Sequence, residues 1–487
     1  MRGRSCRSWP KTLSRPLLHG ALAFTLAGAA PSAFALQSAE PPAPGAPPAS
    51  GPSVPETPPP PEQGAARALT LEDAIRAGLA RNPTLAAMRA EADASDAGAR
   101  LAEAGRWPRL VSEMGWHRSD HPVQVFGDKL TAGSFTAADF AIDSLNHPDP
   151  INHASAALGV EVPIFTSGKI RSGIEAARGE AGAARSRVRA AESDLITQIT
   201  EAYFGVGLAR AAADVAGSAL SSAQSHERTA AARFGAGSSL KSDLLRAQVR
   251  RLERQRDLER RRAGVELARA RLRRLLQPAA DETFDLSTAL EAPREPLGGL
   301  DPWGARAGDT RPEVEAARRA AQAAEAGARA ARAALGPDLA GLARYERNTG
   351  AWDAGEGSYL VGVSVRWAAF DRGRAARIQA AEARATAAAA WSHAAEENVR
   401  LEVEEAFRDA QVAEHTLAAA REAATAAEAA RRISAERYAA GLLPLTDLLD
   451  IETALLEARM AEISALYDSV IGRVRLTRAA GLLEVPR

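Results

Sequence analysis

The stretch RYAAGLLPLTDLLD, residues 437–450, interrupts a long Ala-rich helical pattern with a glycine and a proline and then adds two acids. RFGAGSSLKSDLL, residues 233–245, has nearly the same order of residues about 200 positions earlier. A glycine that ends one helix, followed closely by the start of another, is typical of a tight turn between antiparallel helices. The two stretches therefore predict two helical hairpins in a duplicated chain.

Other paired positions support the duplication. Asn82-Pro83 corresponds to Arg311-Pro312, Pro108 to Pro337, and residues 165–169 (FTSGK) to residues 370–374 (FDRGR). Such internal similarity indicates one structural unit used twice. We predict a first repeat at 67–277, a linking segment at 278–309 and a second repeat at 310–487. The first repeat carries an insertion between Pro108 and Phe165.

Each repeat contains a proline-free stretch long enough for an unusually long helix. The stretches are residues 166–232 and 371–436, and at about 1.5 Å per residue each helix would be about 100 Å long. Apolar residues recur every seven positions in places, for example at Val188 and Leu195. This spacing predicts hairpins that pack like coiled coils. A coiled coil with a scaffold role has the same periodicity, so periodicity alone leaves that alternative open.

Short segments between the helices alternate apolar and polar residues. They are RLVSEMGWHR (109–118) and AALGVEVPIF (156–165) in the first repeat and YLVGVSVRW (359–367) in the second. Strands of about ten residues with one apolar face are typical of outer-membrane β-barrels. Four strands per chain would leave unpaired backbone groups in lipid, so copies would have to close the barrel together, as a dimer or as a trimer. A small soluble β-domain covering the helices is the alternative.

The N-terminus has the pattern of an export signal. Basic residues precede the apolar run LLHGALAFTLAGAA, and Ala33-Phe34-Ala35 fits a cleavage site. We predict a signal peptide at 1–35; an uncleaved anchor is the alternative, but the run is shorter than the ~20 residues of a spanning helix. Residues 36–66 are Pro-rich and predict an extended linker.

Composition and motifs argue against several functions. Basic and acidic residues balance at 61 each, so a nucleic-acid partner is not indicated. The only cysteine, Cys6, precedes the apolar run of the signal. The sequence has no clear nucleophile–base pair and no phosphate-binding glycine motif. We therefore expect neither an enzyme nor a bound cofactor or metal.

Three stretches together resemble the TolC-like outer-membrane efflux proteins, and the resemblance covers residues 67 to 485. They are LTLEDAIRAGLARNPTLAAMRAEADAS, LGVEVPIFTSGKI and RYAAGLLPLTDLLDIETALLEA. The resemblance implies a mainly α-helical homotrimer with a twelve-stranded β-barrel in the lipid of the outer membrane and an α-helical barrel in the periplasm. It also implies an exit duct of a tripartite efflux pump or type I secretion system, with an inner-membrane transporter and a periplasmic adaptor as partners.

Acids after the two turns are the first group of site residues that the resemblance implies. Asp447 and Asp450 match the paired acids of the second tip, and Asp243 matches the position at the first tip. Residues three apart share a helix face, and three copies of that face would surround a pore with carboxylates that favour cations. Alternatively, the acids only complement a helix dipole, and Asp243 pairs with Arg246.

A gate and an adaptor contact are also implied. Tyr438 matches a tyrosine that holds the tip shut in well-known members, but Leu443 occupies the place of the expected arginine. Arg437 or Arg233 is a candidate to replace it.

The turns contain the small residues that adaptors contact in the family. The matching positions are Gly235, Gly237, Gly441 and Leu442. The alternative is that the glycines serve only to end the helices, and both roles are compatible.

The insertion in the first repeat predicts a long extracellular loop at about 119–155. His117, His121, His147 and His153 lie in or beside it. Their spacing matches no standard metal site, so we expect an ordinary polar surface loop.

Two other functions remain as alternatives. A non-conducting envelope scaffold could use the same helices as a spacer. A periplasmic adaptor also contains helical hairpins, but the sequence has no sign of lipoyl-like half-motifs beside them.

Overall fold

The structure is a computed structural model that describes residues 67–278, 284–351 and 354–483. The predicted signal peptide at 1–35 and the Pro-rich linker at 36–66 lie outside the described residues. Within the described ranges, no helix combines the length and the apolar character needed to cross a membrane.

The elements follow one another in the order helix, strand, long hairpin, twice over. The strands are β1 (Arg67–Leu69), β2 (Arg109–Ser119), β3 (Ile151–Phe165), β4 (Phe284–Leu286), β5 (Asp338–Ala351) and β6 (Ala354–Arg366). The helices are α1 (Leu71–Arg81), α2 (Pro83–Ala104), α3 (Pro122–Thr131), α4 (Ile142–Asn146), α5 (Lys169–Gly235), α6 (Lys241–Leu276), α7 (Asp301–Thr310), α8 (Pro312–Ala333), α9 (Gly373–Ala439) and α10 (Leu445–Ala479). A short 3-10 helix spans Ala137–Phe140.

The two long helices of the prediction are present as α5 and α9, each of 67 residues. Both begin two to three residues later than predicted and end three later. The delay at the start has a local reason in α5, because Ser167 and Gly168 adopt positive φ angles of 51° and 87° and cannot belong to the helix.

Side chains cap the N-termini of α1 and α2. The Thr70 hydroxyl accepts a hydrogen bond of 3.1 Å from the Asp73 backbone N–H and caps α1. Asn82 caps α2 in the same way by accepting from the Thr84 N–H at 3.0 Å. Pro83 and Pro312 occupy the first helical positions, where their missing N–H has no cost.

Arg311 replaces Asn82 in the second repeat and acts differently. Its side chain is 4% exposed and donates to Glu313 at 2.9 Å, to Glu402 at 2.8 Å and to the Ala479 carbonyl at 2.9 Å. Burial by itself lowers the pKa of Arg311, but the bonds to Glu313 and Glu402 outweigh burial and raise the pKa above its usual value. A partly buried ionic network centred on Arg311 therefore holds the second repeat together at this level.

A second buried contact anchors the start of the described chain. β1 and β4 form a parallel two-stranded sheet, and the Tyr203 hydroxyl of α5 bonds to both segments. It donates to the Leu69 carbonyl at 2.7 Å and accepts from the Thr288 N–H at 2.9 Å. Tyr203 is 1% exposed and belongs to the largest apolar cluster, with Ile199 and Leu272.

The other four strands form one antiparallel sheet in the order β2–β3–β5–β6. The pairing of β3 with β5 joins the two repeats, for example with Leu158 opposite Tyr345. Apolar side chains of one face are exposed along the strands. They include Leu110 at 65%, Met114 at 84%, Tyr359 at 82%, Val361 at 72% and Val363 at 64%. The predicted alternation is thus present, and its apolar face is uncovered in the single chain.

Two predicted boundaries need correction. The loop predicted at 119–155 is shorter, because β3 already begins at Ile151, and it contains α3 and α4. The second repeat begins before residue 310, because α7 occupies the place of α1 and falls inside the predicted linking segment. That helix is hard to recognise in the sequence because it contains Pro302, Gly304 and Gly308, and glycine and proline have low helix propensity.

Candidate functional site: the paired hairpin tips

The two turns have the same backbone geometry. Gly237 and Gly441 adopt φ angles of 71° and 76°, which residues with a Cβ rarely reach. The Ser238 N–H donates to the Arg233 carbonyl at 2.9 Å, and the Leu442 N–H donates to the Arg437 carbonyl at 2.9 Å. Both helices therefore end in a Schellman motif, which satisfies carbonyl groups that the helix leaves unpaired.

The tips pack against each other through an apolar cluster. Leu445, Leu448 and Leu449 of α10 are buried there, at 5%, 0% and 7% exposure, together with Tyr438 of α9. Ala230 of α5 and Ala247 of α6 belong to the same cluster, so the first hairpin also contributes to it. At their ends, the two hairpins are one packed unit rather than separate arms.

The burial of Leu448 and Leu449 determines where the neighbouring acids lie. Asp447 and Asp450 are both exposed, on the side of α10 that the leucines leave free. The Thr446 hydroxyl donates to Asp447 at 3.0 Å, whereas Asp450 has no ion-pair or hydrogen-bond partner within the described residues. The sequence prediction of a shared exposed face is compatible with this geometry.

Asp243 occupies the place of Asp447 in the first turn of α6 and is half-buried. The alternative pairing of Asp243 with Arg246 is not formed, since no ion pair joins these two residues in the described part of the chain. Arg246 itself is exposed and occupies the place of Asp450. The two tips therefore differ by one charge reversal at equivalent positions.

Arg233 makes the principal polar contact between the tips. Its guanidinium donates to the Tyr438 carbonyl at 2.8 Å and the Ala439 carbonyl at 3.0 Å, and it lies 4.4 Å from the centre of the Tyr438 ring. A cation at these carbonyls complements the C-terminus of α9, and the ring adds a cation–π contact. Tyr438 is only 8% exposed.

The other gate candidates take no part in this contact. Arg437 is exposed, and in the described part of the chain its side chain makes no hydrogen bond to Tyr438. Leu443, at the position of the arginine expected from the family, packs against the apolar cluster. Of the two arginines that the sequence left open, Arg233 is the one that contacts Tyr438.

Contacts above the tips were missed by sequence reasoning. His226 of α5 lies 3.0 Å from Glu452 of α10, and Arg254 of α6 donates to Thr453 of α10 at 3.2 Å. Burial lowers the pKa of Arg254, and the nearby Arg250 lowers it further. These pairs join different hairpins, so their detection requires the relative axial position of the hairpins, which no local pattern contains.

The histidines beside the insertion divide into two groups. The rings of His117 and His153 have centres 5.1 Å apart and are tilted by 37°, and both lie near Asp128 of α3. His121 and His147 are exposed and outside this cluster. No group of three or more His, Cys, Asp or Glu side chains is arranged to hold a metal ion in the described ranges.

Sequence and structure comparisons agree on the family. A family model described as "Outer membrane efflux protein" matches residues 74–276 and 303–482. The chain is 24% identical over 323 residues to "Outer membrane efflux protein BepC" of Brucella suis biovar 1 (strain 1330), which covers 65% of this chain and 70% of BepC.

Solved outer-membrane channels have the same fold. The Campylobacter jejuni CmeC outer membrane channel superposes with a TM-score of 0.75 at 16% identity, over 86% of this chain and 87% of CmeC. The outer-membrane channel OprN superposes with a TM-score of 0.72 at 25% identity, over 84% and 89%. The chain belongs to the outer membrane efflux protein family and is an outer-membrane protein that extends into the periplasm.

Proposed function

We propose that three copies of this chain form the exit duct of a tripartite efflux pump or a type I secretion system. This proposal rests mainly on the four-stranded sheet. Among the described residues its outer strands β2 and β6 each pair with a single strand, and its apolar face is exposed. In lipid, such free edges must be paired. Twelve strands from three copies would close the barrel, and the long helices would continue it as an α-helical cylinder.

The tips would form the periplasmic entrance of this duct. Three copies would bring Asp447, Asp450 and Asp243 around one axis, where carboxylates favour cations and bind polyvalent ones. The exposure of Asp447 and Asp450 supports this role, because neither carboxylate is neutralised by a basic partner within the described residues. Asp243 could both complement the dipole of α6 and contribute to the carboxylates around the pore.

The gate would use Arg233 rather than the missing arginine at residue 443. Its contacts with Tyr438 fasten α5 to α9 inside one copy. Opening would require the two hairpins to separate at the tip, which breaks these contacts and the apolar cluster around Leu448.

A periplasmic adaptor would contact the turns. Leu442 is 77% exposed, and Gly235, Gly237 and Gly441 have open space where a Cβ would lie. An inner-membrane transporter would then deliver the substrate through the adaptor. The exposed, small surface of both turns supports this docking position.

Planar-bilayer recording of the purified protein tests the duct. We expect discrete cation-favouring conductance steps that trivalent cations block from the periplasmic side. The competing scaffold function predicts a protein that inserts or assembles but never conducts, and the absence of any conductance from well-folded protein would favour it.

A further inference from the structure

In each copy, the long helices form one layer with a helix at either edge. α6 packs on α5, α5 on α10 and α10 on α9, so α6 and α9 lie at opposite edges. α8 packs on both α5 and α9 and therefore lies inside the layer. Within the described ranges, no long helix packs against the outer sides of α6 and α9.

Both edges expose apolar side chains at the spacing of a coiled coil. On α6, Leu245 and Leu252 are exposed and seven residues apart. On α9, Trp391, Val412 and Ile433 are exposed at intervals of 21 residues, which is three heptads. Residues at heptad intervals lie on one side of a helix that packs beside another. Each edge therefore has the pattern of a helix that contacts a further helix.

The two edges carry opposite charges that have no partner in the single chain. α6 contains thirteen basic and five acidic residues, whereas α10, its equivalent in the second repeat, contains four basic and six acidic ones. Near the end of α6, Arg271 and Arg274 are exposed, and their side chains form no ion pair or hydrogen bond among the described residues. On α9, Glu405 and Asp409 are exposed and equally unpaired in the described part of the chain.

These charges lie at the same height and on the same face of the layer. Arg271 and Arg274 line a hollow that also contains Gln198 of α5. Glu405 and Asp409 line a second hollow, and Gln198 belongs to that one as well. α5 and α10 separate the basic edge from the acidic edge within one copy. The opposite charges can therefore meet only between copies.

A closed ring brings the two edges together. In a ring, unlike surfaces of neighbouring copies meet, and rotation about the ring axis keeps every copy at the same height. α6 of one copy then lies beside α9 of the next. We propose that Arg271 and Arg274 pair there with Glu405 and Asp409 of the next copy, forming a charged seam between copies. This inference rests on the proposed trimeric duct, whose helices form a closed cylinder.

The charged seam determines which edges meet. Contact of α6 with α6 would place arginines against arginines, and contact of α9 with α9 would place carboxylates against carboxylates. Like charges at an interface cost free energy and exclude wrong pairings. The exposed apolar residues of both edges supply contact area without a preferred partner, so the charges give the contact its specificity.

Charge reversal tests the charged seam. Arg271→Glu with Arg274→Glu places acids on both sides, so we expect the trimer to dissociate at least about tenfold faster on heating in detergent. Glu405→Arg with Asp409→Arg should have a similar effect. All four substitutions together restore opposite charges and should return the rate to within about threefold of the unmodified protein. Native mass spectrometry at successive times measures the remaining trimer.

The matched control is Arg262→Glu with Arg273→Glu. It reverses two charges on the same helix, but neither side chain lines the two hollows. We expect its rate to stay within about twofold of the unmodified protein. An equal acceleration in the control, or no recovery in the fourfold variant, would overturn the charged seam.

Crosslinking gives a second test that leaves most of the charges in place. Cys6 is the only cysteine, so a Cys6→Ser background allows two thiols to be placed at will. Arg274→Cys with Asp409→Cys should link neighbouring copies through a short bis-maleimide in isolated outer membranes, and either cysteine alone should not. A stable trimer without these links would overturn the charged seam and leave the duct intact. The absence of any trimer would overturn both.

Discussion

The two repeats have the same backbone plan but different chemistry at equivalent positions. Asn82 caps a helix, whereas the buried Arg311 at the same place is the centre of a partly buried ionic network. At the tips, Arg246 of the first hairpin replaces the acid that is Asp450 in the second. The insertion that contains α3 and α4 belongs to the first repeat. The two repeats thus share one backbone arrangement, and differences at single positions give each repeat its own side-chain contacts.

The largest expected difference between the repeats is in the free energy of unfolding, when Arg311 and Asn82 at the two helix starts are mutated. Arg311→Met removes the buried partner of Glu313 and Glu402, which then keep only their ion pairs with Arg478 among the described residues. Both carboxylates keep partial exposure, so we expect a loss of about 2–3 kcal/mol in the free energy of unfolding, below the 3–5 kcal/mol of fully buried pairs. Asn82→Ala removes one cap and should cost about 1 kcal/mol. Chemical denaturation in detergent compares them, and equal losses would contradict the assigned roles.

The same network makes the second repeat sensitive to acid. Burial raises the pKa of Glu313, but the hydrogen bond and attraction of Arg311 outweigh it and hold the pKa below its usual value. Glu313 therefore stabilises the fold above its unfolded pKa of about 4.3, and this contribution is lost as the pH falls through the lower folded value. In Glu313→Gln, the melting temperature should fall less between pH 5 and 3 than it does in the unmodified protein. An equal fall in both proteins would contradict this.

The charge difference between the tips can be tested by cation block. Asp447→Asn with Asp450→Asn removes two of the three candidate acids in every copy, and we expect the concentration of trivalent cation for half block to rise at least about tenfold. Asp243→Asn should have a smaller effect, because Asp243 is half-buried. Bilayer recording measures both, and unchanged block in the double variant would exclude the acid ring.

The contact of Arg233 with Tyr438 distinguishes the two candidate arginines. Arg233→Ala removes two carbonyl contacts and the cation–π contact, so the duct should open more often, by roughly fivefold. Arg437→Ala is the matched control and should change little. Tyr438→Phe should also be mild, because Arg233 uses the ring and the carbonyl rather than the hydroxyl. An open probability that rises equally in both arginine variants would contradict this gate.

The smallest difference between the repeats is expected at the two turn glycines, Gly237 and Gly441, which have the same backbone geometry. An added Cβ at Gly237 or Gly441 meets no atom within 4 Å, so Gly→Ala costs only the positive φ, about 1 kcal/mol at either turn. Equal losses in thermal unfolding would support the equivalence of the turns. A larger loss at only one of them would show that the turns differ in packing.

The parts of the fold that sequence could predict are those with local causes. The glycine turns, the caps at Thr70 and Asn82 and the long helices all depend on neighbouring residues. β1 and β4, with three residues each, are too short for a pattern. The contact of Arg233 with Tyr438 depends on the relative axial position of two hairpins. The fold of the insertion at 120–150 depends on aromatic packing within an irregular segment. These features required the tertiary structure.

The most direct test of the duct is the mass of the detergent-solubilised full chain by native mass spectrometry. The free edges of β2 and β6 need further copies for closure, and the proposed twelve-stranded barrel contains three, so the account predicts a stable trimer as the main species. A single copy or a pair as the largest species would contradict it.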